Sequence, residues 1–194
     1  MSKVVIAGDA SGTGTFTISA PNGNTDRTLV LPDEAGTIDT LQRAGNVLQV
    51  VNVQTGAVAT GTTTIAFDDT VPQSSEGTEF ITLAITPTSS TSKLRIDFSV
   101  VLNHTVGTAI LNACLFQDAI VNALAAASSQ NVNSGGPMIV AGSYYMTAGT
   151  TSSTTFKIRC GSPTAGTVTL NGVNGVRFYA GVSNSFITII EVAA

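Results

Sequence analysis

The stretch KLRIDFSVVL, residues 93–102, leaves the chain little freedom. Leu94, Ile96, Phe98, Val100 and Leu102 fall at every second position, with Lys93, Arg95, Asp97 and Ser99 between them. Successive side chains of a strand point to opposite faces, so this period of two dictates a strand with one buried and one solvated face. A helix would scatter the same residues around its circumference. A strand of this kind needs a second layer to cover its apolar row.

Neighbouring segments obey the same rule. TEFITLAIT presents Ile81, Leu83 and Ile85 inward; TTFKIRC presents Phe156, Ile158 and Cys160 against outward Lys157 and Arg159; SFITIIEV forms a closing strand that ends at Val192. PTSSTS, SSQNVNSGG and GSPTAG between them carry the small and polar residues of surface connections. DAIVNALAAASS has a composition compatible with helix, but it lacks an N-cap and a charge pattern and reads as strand plus loop. From Gly45-Asn46 onward the chain therefore predicts about ten short antiparallel strands with turn signals between them, an all-β sandwich or barrel.

Residues 1–42 are sparser. Phe16, Ile18 and Ala20 share one face of a weak alternation, and NGN then turns the chain. In RTLVLPDEAGTI, Leu29 and Leu31 share a face, Pro32 ends the ladder because it cannot donate, and Asp33 to Gly36 supply a corner. One strand and one corner cannot bury a core, so this short β segment is expected to lean on something else. The expected organisation is a segment of residues 1–42 that makes attachment and intersubunit contacts, followed by a compact domain over 46–194.

Charge sharpens that expectation. Asp, Glu, Lys and Arg make up 10% of the chain, against about a quarter in ordinary globular proteins. A surface built of Thr, Ser, Gly and Asn points to one covered by copies or partners. The net charge is −4 and the eight Lys plus Arg stand singly, which argues against nucleic acid, whose binding needs clustered cations. No run approaches the roughly 18 apolar residues of a membrane span, and the apolar stretch in MSKVVIAGDASG is too short for a signal peptide. The expectation is a soluble protein made in a cytoplasm, with no membrane insertion and no Sec export. Cys114 and Cys160 each alternate with apolar residues, as buried free thiols do.

Residues that could carry chemistry are few. His104 is the single histidine and lies at the end of the clearest strand, where a solvated or structural role is expected. Asn103-His104-Thr105 matches a glycosylation acceptor, without the secretory signal that would make it one. One His and two isolated Cys cannot build a zinc site, and Asp68-Asp69 lacks the alternating oxygen ligands of a calcium loop. Gly8, Gly12 and Gly14 lack the Lys-Ser/Thr of a phosphate loop, and the twelve acids supply no specific glycosidase pair. The expectation is no catalytic residue, no metal and no cofactor: not an enzyme. Tyr144 and Tyr145 place one ring on each face of a strand, and Tyr179 lies in VRFYAG with Phe178 expected inward. Such tyrosines read as rim residues packed against a neighbouring strand or subunit rather than as sugar platforms.

The run TFTISAPNGNTDRTLVLPDEAGTI resembles the N-terminal segment of tailed-bacteriophage fibre and virion structural proteins, in which a Leu-Pro-Asp/Ala-x-x-Gly-Thr corner closes a strand pair. TVPQSSEGTEFITLAITPTSSTSKLRIDFSV, ACLFQDAIVNALAA, STTFKIRCG and the closing TIIEV look like the jelly-roll head domain of such proteins, similar in architecture to trimeric C1q-type and TNF-type modules. Together the two resemblances cover nearly the whole chain. They imply a jelly-roll sandwich, a homotrimer, location in a virion assembled in the host cytoplasm, and contact with other virion proteins of tail or capsid and with a host cell-surface receptor. Virion attachment would then fall on Phe16, Ile18, Leu29, Leu31 and Pro32. The chain departs from long fibres in having only residues 40–46 for a shaft. That departure keeps a capsid decoration or cement protein open beside a short tail fibre. A free carbohydrate-binding module is the rival class, with the lack of Trp against it.

Overall fold

The computed structural model describes Gly23 and residues 43–130 and 135–194. The residues from 43 onward belong to one compact unit, Asp39–Ala194. Its strands are β1 (Val47–Thr55), β2 (Ala59–Gly61), β3 (Thr78–Ile85), β4 (Lys93–His104), β5 (Ile110–Gln117) and β6 (Ala125–Gln130). They continue with β7 (Met138–Thr147), β8 (Thr154–Gly161), β9 (Val168–Leu170), β10 (Gly172–Val173), β11 (Val176–Arg177) and β12 (Ser185–Val192). Among the described residues the one helical element is a 3-10 turn at Tyr179–Gly181.

The strands form two main sheets. In one, β1, β12 and β4 lie side by side, β7 flanks β4, and β9 and β2 extend the sheet beyond the end of β12; the other runs β3, β8, β5, β6. Every pairing is antiparallel. Count only the eight long strands in chain order and the sheets read 1-8-3-6 and 2-7-4-5, the two interlocked Greek keys of a jelly roll. The expected all-β sandwich is therefore present. Among the described residues its strands number twelve rather than about ten because four are pieces of two or three residues.

The core lies between the sheets. Leu94, Ile96, Phe98, Val100 and Leu102 of β4 are all buried, together with Ile187 and Ile189 of β12 and Val140 of β7. From the facing sheet come Ile81 and Ile85, Phe156, Ile158 and Cys160, and Leu111, Ala113 and Leu115. Each such side chain contributes roughly 1.5–3 kcal/mol relative to leaving it in water. Gly142 of β7 lies opposite Phe98, and a Cβ there would stand 2.5 Å from the ring's Cζ. Glycine at that position makes room for the phenyl group. Leu83 is half-buried rather than buried, on a strand whose register shifts between Glu79 and Ile81.

β5 breaks the alternation, with six consecutive buried residues from Leu111 to Phe116. Its second face is covered by the β2–β3 connection, where Ile65 packs on Cys114 and Phe116. DAIVNALAAASS is strand plus loop, as expected, with β6 beginning at Ala125. Phe178 corrects an expectation: it is half-buried, outside the core, and meets Tyr179 edge-on at 5.0 Å. It belongs to the entry of the 3-10 turn, where strand parity no longer applies.

The entry to β1 meets the exit from β12. Gly45 N–H donates to the Ala193 carbonyl at 3.0 Å, and Ala193 N–H donates to the Asn46 carbonyl at 2.8 Å.

Candidate functional site

The register places four strands' outward side chains in rows. Val50, Ile190, Arg95 and Tyr145 stand side by side across β1, β12, β4 and β7. The next rows are Asn52, Thr188, Asp97 and Ser143, then Gln54, Phe186, Ser99 and Ala141, with Val101 beside Ile139 beyond them. Val47 and Val192 lie opposite each other at the other end, in line with Lys93 and Thr147. Ile139 is 65% exposed, Tyr145 58% and Val50 56%.

Only three side chains of this face carry charge, all on β4, and each has a partner on the face itself. Arg95 Nε lies 2.9 Å from Asp97 Oδ2, and Lys93 Nζ donates to Thr147 Oγ1 at 2.7 Å. Asn52 Nδ2 donates to Thr188 Oγ1 at 2.8 Å across the β1–β12 seam. The result is a broad, flat surface of valine, isoleucine, phenylalanine and tyrosine set among internally paired polar groups. A surface of this chemistry suits protein contact, because covering it returns apolar area from water, and of its three charges only the Lys93 ammonium lacks an opposite charge beside it. SFITIIEV carries the signal for it: Phe186 and Ile190 are apolar at one parity and Ile187 and Ile189 at the other, as in strands covered on both faces.

Inward of this face sits a carboxylate. Glu191 is 0% exposed. Its Oε1 accepts from Thr88 N–H at 2.9 Å, Thr88 Oγ1 at 2.9 Å and Ser92 Oγ at 2.5 Å, and its Oε2 accepts from Gln49 Nε2 at 2.5 Å. Burial alone would raise its pKa, but the hydrogen bonds from Ser92, Gln49 and Thr88 outweigh burial and hold it below the ordinary value. Gln49 also donates to the Thr86 carbonyl, so the network ties β1, β12 and the β3–β4 connection together.

The residues singled out from sequence are not gathered into one site. Phe16, Ile18, Leu29, Leu31 and Pro32 lie outside the described residues, as do Gly8, Gly12 and Gly14. His104 is buried and structural: its Nδ1 accepts from Val106 N–H at 3.0 Å, and Nε2 has no hydrogen-bond partner among the described residues. Cys114 and Cys160 are free and buried on opposite faces of one sheet, since Cys160 pairs with Ala113. Burial pushes the Cys114 thiol up to about 12, with the Glu76 charge adding to it, and pushes Cys160 higher still, so neither forms thiolate near neutrality. Asp68 closes a local turn by accepting from Thr70 N–H and Oγ1. Tyr144 packs against the core while Tyr145 points out, one ring on each face. Among the described residues no three His, Cys, Asp or Glu side chains gather as metal ligands would, and no helix is long and apolar enough to cross a membrane.

No protein-family model and no curated protein matches the chain. Among solved structures it is similar to the Eiger TNF of S. frugiperda, at 8% identity and a TM-score of 0.41, over 74% of this chain and 93% of that one. It is also similar to a chain of infectious bursal disease virus, Gx strain, at 13% identity and a TM-score of 0.36, over 88% of this chain and 43% of that one. A third likeness is to the VP2 subviral particle of infectious bursal disease virus, at 11% identity and 0.34, over 75% and 38% of the two chains. The jelly-roll assignment rests on strand order rather than on these likenesses.

Proposed function

We propose that the chain is a structural protein of a tailed-bacteriophage virion: a short homotrimeric appendage whose jelly roll projects outward, and whose residues 1–42 attach it to the particle through Phe16, Ile18, Leu29, Leu31 and Pro32. The observation that supports this reading is the outward face of β1, β12, β4 and β7, with its apolar rows and only three charges, two of them paired with each other. A sandwich alone in water normally keeps such a face charged; three copies around an axis would cover it. The resemblance of TFTISAPNGNTDRTLVLPDEAGTI supplies the phage setting, and the exposed jelly roll is the part that would meet a host receptor. The short span available for a shaft favours a second reading beside the tail fibre, a capsid decoration protein, and micrographs of labelled virions separate the two by position and copy number.

Light scattering at micromolar concentration tests the assembly. The expected mass is about 59 kDa, three times the 19.7 kDa chain, and stable on dilution. Ile139→Asp, on the outward face, should release folded monomers. A monomeric mass for the unmodified protein would overturn the reading and favour a free binding module.

A further inference from the structure

We infer that the opposite sheet carries a saccharide site, centred on Phe67 and independent of how many copies assemble. Phe67 is 60% exposed, an uncommon position for a phenyl ring, and it stands between two hollows of about 150 and 240 Å³. Ser128 of β6 lines both hollows as well; each is smaller than a drug-sized pocket of roughly 300–1,000 Å³, which suits a ligand no larger than a single ring. The backbone that carries the ring is held on both sides. Two residues before it, Ile65 is buried against Cys114 and Phe116, and Asn112 Nδ2 donates to the Ile65 carbonyl at 3.3 Å. The Glu76 carboxylate then accepts from Ala66 N–H at 3.2 Å and Gln73 N–H at 2.6 Å, pinning both ends of the loop that presents Phe67. A loop whose backbone is held in advance loses little freedom when a ligand covers it.

The surroundings choose the ligand. A pyranose offers an apolar C–H face bordered by hydroxyls, and here an exposed aromatic ring is bordered by hydrogen-bonding groups. Ser128 Oγ donates inward to Asn112 Oδ1 at 2.7 Å, which leaves its own lone pairs to accept from a ligand hydroxyl. Asp68 directs Oδ1 to Thr70 and lines the first hollow, while Gln130 lines the second. Among the described residues no Lys or Arg lines either hollow, and a carboxylate does. The geometry therefore favours a neutral hexopyranoside over a sialylated or phosphorylated one.

Titration of the full-length protein with the methyl glycosides of glucose, galactose and N-acetylglucosamine, followed by calorimetry, tests this, with sialyllactose as the charged comparison. At least one neutral glycoside should bind with a Kd no weaker than about 10 mM, and sialyllactose should bind more weakly. Phe67→Ala should reduce that affinity at least tenfold without moving the thermal midpoint, because the ring is exposed, and Phe67→Tyr should retain it. Absence of binding by all three neutral glycosides, or binding that Phe67→Ala leaves unchanged, would overturn the site. So would a change of oligomeric mass in Phe67→Ala, which would mean that a second copy covers the groove.

Discussion

At position 191 a carboxylate occupies the inward parity that Ile187 and Ile189 hold before it. The position is tolerable because Thr88, Ser92 and Gln49 bring enough donors to replace water. Glu191→Gln puts an amide nitrogen among those donors and should cost about 2 kcal/mol at neutral pH, read as a lowered denaturant midpoint. The carboxylate's folded pKa lies below its ordinary 4.5, so its stabilising contribution is complete above that pH and is lost as the pH falls further. Thermal midpoints of the unmodified protein should therefore drop as acid is added below pH 4.5, and Glu191→Gln should flatten that drop; parallel curves would show that another group governs the acid limb. Parity alone places Glu191 inward in SFITIIEV. Its charge argues the other way, and only the distant Thr88 and Ser92 resolve the conflict, which no local pattern could reveal.

Among the elements, β4 was the most legible because both of its signals agree. Its inward row is fully buried and its outward row carries the charges, so faces and register follow from the period alone. Phe98→Asp should therefore cost several kcal/mol and leave little folded protein, whereas Asp97→Asn loses only an exposed pair with Arg95 and should cost no more than about half a kcal/mol. Chemical denaturation of the two variants separates them, and equal losses would contradict the assignment of faces. β5 was legible as a strand but not in its double burial, because the segment that covers it arrives from residues near Ile65. The outward apolar rows were half legible: β12 shows them in its unbroken apolar run, but Val50, Ile139 and Tyr145 join them only once register is known. Phe67 gave no local signal, since its exposure depends on Glu76 and Ile65 together.

For the whole molecule, among the described residues every member of the two core clusters lies after residue 50. A protein lacking residues 1–42 should accordingly fold with an unchanged near-ultraviolet spectrum and yet fail to join virions. Leu29→Asp and Leu31→Asp should weaken joining with the jelly roll intact, and normal loading of the truncated protein would place the anchor elsewhere. The meeting of Gly45 with Ala193 also has a mechanical side. Residue 43 feeds directly into β1, which is held to β12 through eight registered pairs. A pull entering there and resisted at the far end of the sandwich, near Thr55 and Ser185, drags β1 along its own axis and loads those pairs together. The same pull resisted at Ala194 would open them one after another from the nearest end. A jelly roll pulled at residue 43 while its distal loops are held is therefore strained in the stronger of the two directions.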